Sequence, residues 1–391
     1  MLKDVLIKRN VYQTEEHEMI KQVTNDFIKQ EILPYQEQWE EDTMVSREVW
    51  KKAGDLGLLC IDMPEQYGGG GLDFTYSAMF VEEISRHGIT GPGFFLHSDI
   101  VAPYILKYGT EEQKQKYLPA MAKGDIIAAI AMTEPGCGSD LQSLKTTAVD
   151  KGDHYIVNGS KTFITNGYMS DIAIVAVRTN PGTEDEGISL LIMESEWDGF
   201  TKGKPFKKIG MKAQDTCELF FDNVKVPKTA LLGEEKMGFK IMMHELARER
   251  LIVAVMAVGG SYGAIEQTLQ YTTERVAFKR PIAGFQNTQF KLAECVAKLQ
   301  IHQSFVDNCV AQLAEGELSA EAASLAKFSA SDAHGEIVDE CLQLHGGYGY
   351  IWEYSIARMY ADNRVARIYA GTNEIMKLVI ARGLYKGYLP S

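Results

Sequence analysis

The segment Ala131 to Asp140, AMTEPGCGSD, gathers two glycines, a proline and the hydroxyls of Thr133 and Ser139. It leaves a β-rich run and must turn tightly. Such a turn presents backbone N–H groups and hydroxyls that suit a phosphate or the polar edge of a ring. The same composition also makes an ordinary connection. Other segments that look chemical fail on context. Gly68–Gly71 follows Pro64-Glu65-Gln66-Tyr67 rather than a strand, so it reads as a surface loop and not as a dinucleotide fingerprint. His244-Glu245 begins like a zinc motif, but Arg248 stands where the second His belongs, which argues against a metal. There is no GxxxxGK(S/T) loop and no GxSxG elbow.

The elements that must position these residues change character along the chain. Residues 1–124 read as helical: Thr14 caps an amphipathic series through Met19, Ile20, Val23, Phe27 and Ile28, which Pro34 ends or kinks. Tyr76–Ser85 and Gln113–Met121 also read as helix. Residues 125–233 hold short β-rich runs at 126–132, 146–149, 155–158, 161–164, 172–178, 188–193 and 219–226, with a hairpin signal at Asp150–Asp153. Residues 234–391 return to helix, at 241–271, 289–314, 320–344 and 373–384, broken by Gly346, Gly347 and Gly349. The expected fold is α+β: a helical N-terminal domain, a β-barrel or sandwich in the middle, and a C-terminal four-helix bundle.

At 391 residues the chain has room for two or three domains. Lys and Arg total 40 against 53 Asp and Glu, a net charge of −13, which argues against nucleic acid and anionic membrane surfaces as partners. The longest apolar run, Leu251–Val258, is far short of the ~20 residues of a membrane span. The N-terminus has neither a signal-peptide nor a transit-peptide pattern, and the six Cys form no CxxC pair. These features suggest a reducing compartment: the cytoplasm, or a mitochondrial matrix if the chain is processed.

Six blocks, in order, resemble the acyl-CoA dehydrogenase family: MTEPGCGSD (132–140), NGSKTFITNG (158–167), GMKAQDTCELFFDNVKVP (210–227), ERVAFKRPI with Gln286, QLHGGYGY (343–350) and IYAGTNEIM (368–376). GPGFFLHS (91–98) and ARERLIVA look most like the long-chain type. The resemblance implies an FAD enzyme, usually a homotetramer built as a dimer of dimers. Such enzymes oxidise the Cα–Cβ bond of an acyl-CoA and pass electrons to electron-transferring flavoprotein.

Carried over to this chain, the resemblance implies FAD contacts at Met132, Thr133, Gly138, Ser139, Phe163, Ile164 and Thr165. Arg275, Phe278, Gln286, Gln343, Gly346 and Gly347 would meet the pyrophosphate and adenosine end, from a neighbouring subunit. Thr372 and Glu374 sit at a helix start, where free N–H groups favour phosphate or polar contacts. Ser139, Arg250, Ala370 and Gly371 fall on the substrate side.

The family's commonest base is a Glu directly before Gly-Thr, and here that position is Ala370. Either dehydrogenation is lost or the base lies elsewhere. A minority of members place a Glu just before an Arg on a helix, and Glu249-Arg250 match that pattern at the head of the apolar run. Burial there would raise the carboxyl pKa toward a working value. The same Glu also reads as a solvated helix residue, since like-charged Glu245 at i−4 gives it no local support. Arg250 is expected to orient the substrate loop. Ala370 keeps the backbone N–H that polarises the thioester carbonyl, and its small side chain leaves room for bulkier acyl groups. Ala247 replaces an Asp common in relatives, which puts the pantetheine contact in doubt. Other readings are an isovaleryl-like branched short-chain dehydrogenase, an acyl-carrier-protein dehydrogenase, and a non-catalytic scaffold of the same fold.

Overall fold

The structure is a computed structural model and describes residues 2–386 except 10, 13 and 185. The last five residues of the expected C-terminal domain therefore lie outside it. The first third is helical: α1 (Leu2–Val5), α2 (Glu15–Phe27), α3 (Gln36–Asp42), α4 (Arg47–Asp55), α5 (Phe74–Arg86), α6 (Ala102–Tyr108) and α7 (Glu111–Ala122). Thr14 caps α2 by accepting a hydrogen bond from the His17 N–H. The break expected at Pro34 begins earlier, in a π-helical turn at Ile28–Ile32 that passes into a 3-10 turn at Leu33–Tyr35. A second π turn, Leu96–Val101, leads directly into α6.

The middle of the chain forms one sheet from β1 (Ala128–Ala131), β2 (Thr147–Asp150), β3 (His154–Thr165), β4 (Ile172–Thr179), β5 (Gly187–Glu194), β6 (Phe200–Lys202), β7 (Thr216–Pro227) and β8 (Leu231–Leu232). Its order is β6-β7-β3-β2-β4-β5-β8, with β1 paired parallel to β4. The runs at 155–158 and 161–164 are one strand, not two. Gly159 makes a bulge rather than a turn: its φ is +146°, and a Cβ there would lie 2.5 Å from Thr146 Oγ1. Only glycine fits. β3 and β7 bury alternate apolar residues (Tyr155, Val157, Leu219, Phe221, Val224) in the sheet core.

The C-terminal part contains α8 (Gly238–Glu274), the short hairpin β9 (Val276–Ala277) and β10 (Arg280–Pro281), α9 (Gln286–Ala314), α10 (Ala320–His345), α11 (Ser355–Asn363) and α12 (Asn373–Leu384). α8, α9 and α10 pack on one another, α12 packs on α10, and α5 crosses onto α8. This is the expected arrangement of helical, sheet and helical parts, with a helical bundle at the end. α8 is long and apolar enough to pass a composition test for a membrane span, yet 83% of its most apolar stretch is buried inside the protein. Its apolar residues form the bundle core rather than a lipid-facing surface.

The α5–α8 crossing depends on small residues. A Cβ at Gly263 would fall 1.9 Å from the Arg86 carbonyl oxygen, and one at Gly259 would fall 2.5 Å from that of Glu82. Gly263→Ala must push the helices apart. We expect a net loss of about 1–3 kcal/mol in urea unfolding, even though Ala is the better helix former. An unchanged midpoint would show that this close approach is not needed.

Candidate active site

The turn after β1 is held from beneath by a buried lysine. Lys161, on β3 and fully buried, donates to the Met132 carbonyl (3.1 Å) and to Glu134 Oε1 (2.8 Å). Glu134 also accepts the backbone N–H groups of Lys145 (2.6 Å) and Thr146 (2.9 Å). The Thr162 N–H donates to the Thr133 carbonyl (2.9 Å). These bonds set Met132 and Thr133 beside Phe163, Ile164 and Thr165. The hydroxyls of Thr133, Ser139 and Thr165 have no protein partner among the described residues. Phe163 is 68% exposed and has φ +59°. A bulky residue in left-handed backbone is an outlier that marks a constrained site.

A second group lies at the far end of α8. Arg275 stacks over the Tyr348 ring at 5.4 Å, and Tyr271 donates to the His345 carbonyl (3.1 Å). These contacts bring Arg275 to the Gly346-Gly347 turn. Phe278 is 90% exposed at φ +50°, and Gln286 and Gln343 are exposed. A Cβ on Gly138, Gly346 or Gly347 would meet nothing, so each of these backbones opens onto free space. Among the described residues no hydrogen bond, ion pair or ring contact joins this group to the one around Thr133.

A third group surrounds Glu249. Its side chain is buried inside α8, and Oε1 accepts a hydrogen bond from the Tyr104 hydroxyl (2.9 Å). Burial pushes its pKa up to about 7, against the lowering effects of Tyr104 and Arg250 and with a further rise from Glu245. One turn earlier Glu245, equally buried, behaves differently. Burial opposes its ionisation, but Lys107 (2.7 Å), His244 (3.0 Å) and Tyr108 (2.8 Å) outweigh burial and hold it below the ordinary range. Two carboxyls on one helix face are thus set apart by their partners.

The Ala370-Gly371 turn is left-handed at both residues, φ +53° and +84°. Fully buried Lys327, on α10, donates to the Gly371 carbonyl (2.8 Å) and to Asn373 Oδ1 (2.9 Å). Asn373 in turn donates to Ser331 and Asp332, both at 3.0 Å. Burial, with Arg250 nearby, brings the Lys327 pKa down to about 8. Arg250 donates to Ser324 on α10 (3.2 Å), and its Nε has no partner. Arg250 therefore acts on the turn only through α10, and Lys327 makes the direct contact. Thr372 caps α12 by accepting from the Ile375 N–H (3.4 Å), and Glu374 lies exposed in its first turn. Ala247 is half-buried on α8, two residues before Glu249.

Tyr104, Lys161 and Lys327 were not singled out from sequence. The lysines sit inside or near recognisable blocks, but their partners are 27 and 44 residues away. Tyr104 lies 145 residues from Glu249.

Glu249 carries a stability cost with a definite pH window. Its folded pKa is raised from 4.5 to about 7, so its contribution is most favourable below 4.5 and is lost as pH rises through 7. The loss is about 3 kcal/mol. Glu249→Gln keeps an acceptor for Tyr104 and removes the charge. It is expected to be more stable than the native chain at pH 8, with the gain vanishing toward pH 4.5. Thermal unfolding across that range measures it, and a gain that does not change with pH would contradict the shifted carboxyl.

Comparison with known proteins gives the family. Residues 14–125, 129–224 and 236–385 match the N-terminal, middle and C-terminal domain models of acyl-CoA dehydrogenase. The chain is 47% identical over 383 residues to the mitochondrial long-chain specific acyl-CoA dehydrogenase of Rattus norvegicus, covering 97% of this chain and 89% of that one. It is 41% identical over 374 residues to the 3-(aryl)acrylate reductase of Clostridium sporogenes, covering 95% and 99%. It superimposes on an acyl-CoA dehydrogenase of Bacillus anthracis solved with FAD, with a TM-score of 0.89 and 38% identity over 99% of this chain and 70% of that one. With all three domain models matched in order, and a relative nearly half identical along almost the whole length, this chain belongs to the acyl-CoA dehydrogenase family of oxidoreductases.

Proposed function

We propose that the chain dehydrogenates a medium- to long-chain acyl-CoA to the trans-2-enoyl-CoA, with Glu249 as the base that takes the α-proton. The observation that carries this reading is the Glu249 carboxyl buried on α8 with the Tyr104 hydroxyl on Oε1, where burial pushes its pKa up to about 7. A general base works best when its pKa lies near the operating pH. It also answers the problem of Ala370, which has no side-chain acceptor.

The residues present fit FAD as the cofactor. Three unpartnered hydroxyls, an exposed Phe163 held in strained backbone, and open backbone at Gly138 suit a polar ring edge and its face. Arg275, Phe278, Gln286, Gln343, Gly346 and Gly347 suit a pyrophosphate and adenosine, and their distance from the first group is accounted for if they serve a neighbouring subunit of a homotetramer. Bound FAD supplies the acceptor for the hydride that leaves Cβ.

The chain's own residues do the rest. Glu249 removes the α-proton as charge builds on the thioester oxygen. The Ala370 N–H, in a turn clamped by Lys327, is the donor we assign to that oxygen. Preorganised donors of this kind lower the barrier because they need no reorganisation. Along α8, positions i+4, i+7, i+8 and i+11 from Glu249 are Val253, Met256, Ala257 and Gly260. They line a cavity together with Tyr369, the neighbour of Ala370. The preference for a longer acyl chain rests on the similarity to the long-chain relative. Electron-transferring flavoprotein is the proposed acceptor.

A branched short-chain substrate or an acyl-carrier-protein thioester would use the same base and turn. A scaffold would have no use for a buried carboxyl that lowers stability at neutral pH, and this favours the enzyme.

Two measurements test the reading. Anaerobic mixing of the flavin-loaded protein with acyl-CoAs of increasing length should bleach the flavin, fastest with the longer chains. No bleaching with any thioester would end the proposal. Glu249→Gln should keep flavin and lose about 10²–10⁴-fold in turnover; unchanged turnover would place the base elsewhere.

A further inference from the structure

One face of α6 is matched to one face of α8. Tyr104, Lys107 and Tyr108 stand at i, i+3 and i+4, and they donate to Glu249 and Glu245, themselves four residues apart. The two pairings have different consequences. Glu245 receives a cation and stays ionised. Glu249 receives only the neutral Tyr104 hydroxyl, whose own pKa burial holds far above the ordinary phenol value. That hydroxyl stays protonated through any working pH and can act only as the donor to the carboxylate.

The position of Tyr104 is itself enforced. The π turn Leu96–Val101 sets the helical phase of α6, and π turns recur at functional sites. Arg248, next to Glu249 in sequence but on the other side of α8, locks that turn in place. It donates to the Asp99 carbonyl (2.7 Å), to Asp62 (2.7 Å) and to Asp99 Oδ1 (3.3 Å), and it lies over the Phe74 ring. Tyr104 is fully buried and has no freedom to turn away.

On the reading of Glu249 as base, we propose that Tyr104 is a positioning residue. It occupies Oε1 of Glu249 and leaves Oε2 as the oxygen that takes the substrate's α-proton. Among the described residues Oε2 accepts no hydrogen bond from the protein. In the step, the α-C–H bond breaks, the proton joins Oε2, and the electron pair moves into the thioester. The Tyr104 bond holds Oε1 throughout, so the carboxyl plane keeps one orientation toward the substrate. The charged groups acting on Glu249 are Glu245 and Arg250 on α8; Lys107 on α6 pairs with Glu245, and Arg250 in turn acts on Lys327 on α10. None of them replaces the Tyr104 bond.

A hydrogen bond to the ionised form favours it, so removing the bond must raise the base's pKa. The test is the pH profile of kcat/KM, which reports groups of the free enzyme, for native protein, Tyr104→Phe, Tyr108→Phe and Glu249→Gln. In Y104F the acid limb should move about one to two units to higher pH, with activity partly recovered on the alkaline side. Y108F keeps the ring beside Tyr104 and removes a hydroxyl that bonds Glu245 and His244 but not Glu249, so it should leave the limb in place. An acid limb that does not move in Y104F overturns the proposal, as does an equal shift in Y108F. Near-native turnover in E249Q would instead overturn the base assignment, so the two failures are distinguishable. Thermal unfolding against pH gives a reading without turnover. The folded protein should take up the Glu249 proton at a pH about one to two units higher in Y104F than in the native chain; an unshifted uptake would again defeat the proposal.

Discussion

A carboxylate removed from water loses hydration worth several kcal/mol, and a protein keeps one buried only where neighbouring donors return part of that loss. Glu249 sits at this limit. One neutral hydroxyl and a partly engaged arginine are enough to keep it in place but not enough to keep it fully ionised at neutral pH. Much of the surrounding structure serves that balance. α8 must present Glu249 inward, the π turn must bring Tyr104 to it, and the Arg248–Asp62–Asp99 cluster must hold the π turn. Glu245, one turn away and given a lysine, shows what Glu249 would be with a cation beside it.

The backbone around the site is irregular, and buried lysines hold it. Lys161 grips the Met132 carbonyl below one turn, and Lys327 grips the Gly371 carbonyl below another. Both lose favourable solvation and both titrate below the ordinary lysine range, with burial as the main cause. A long flexible side chain ending in three donors can satisfy carbonyls that no regular element reaches. The left-handed residues Phe163 and Ala370 lie close to these two clamps, as expected where strained backbone is held by its surroundings.

Much of the fold was legible because its signals are local. α12 runs from Asn373 to Leu384 as the pattern predicts, and α10 and α8 differ from their expected spans by only a few residues. Thr14 caps where a capping residue should, and Asp150–Asp153 turns between β2 and β3. The misses follow from the same logic. β6, β8 and α11 are too short to show a period, and Gly159 looks like a turn residue although it serves a bulge. The site residues inside contiguous blocks were named through the family resemblance, since the composition of the turn after β1 by itself also fits an ordinary connection.

By itself the sequence determined the order of helical, sheet and helical parts, and its six family-like blocks pointed to the residues that would meet a flavin and a thioester and to the missing side-chain base at Ala370. It could not decide between a solvated and a buried Glu249, because burial depends on what crosses the helix and not on the helix's own pattern. Only the tertiary structure brought Tyr104 across 145 residues to Oε1 and Lys327 across 44 to the Gly371 carbonyl. Those contacts set the carboxyl pKa and the shape of the turn. The physical reason is that desolvation and hydrogen bonding are properties of a packed environment, which a linear pattern of residues does not contain.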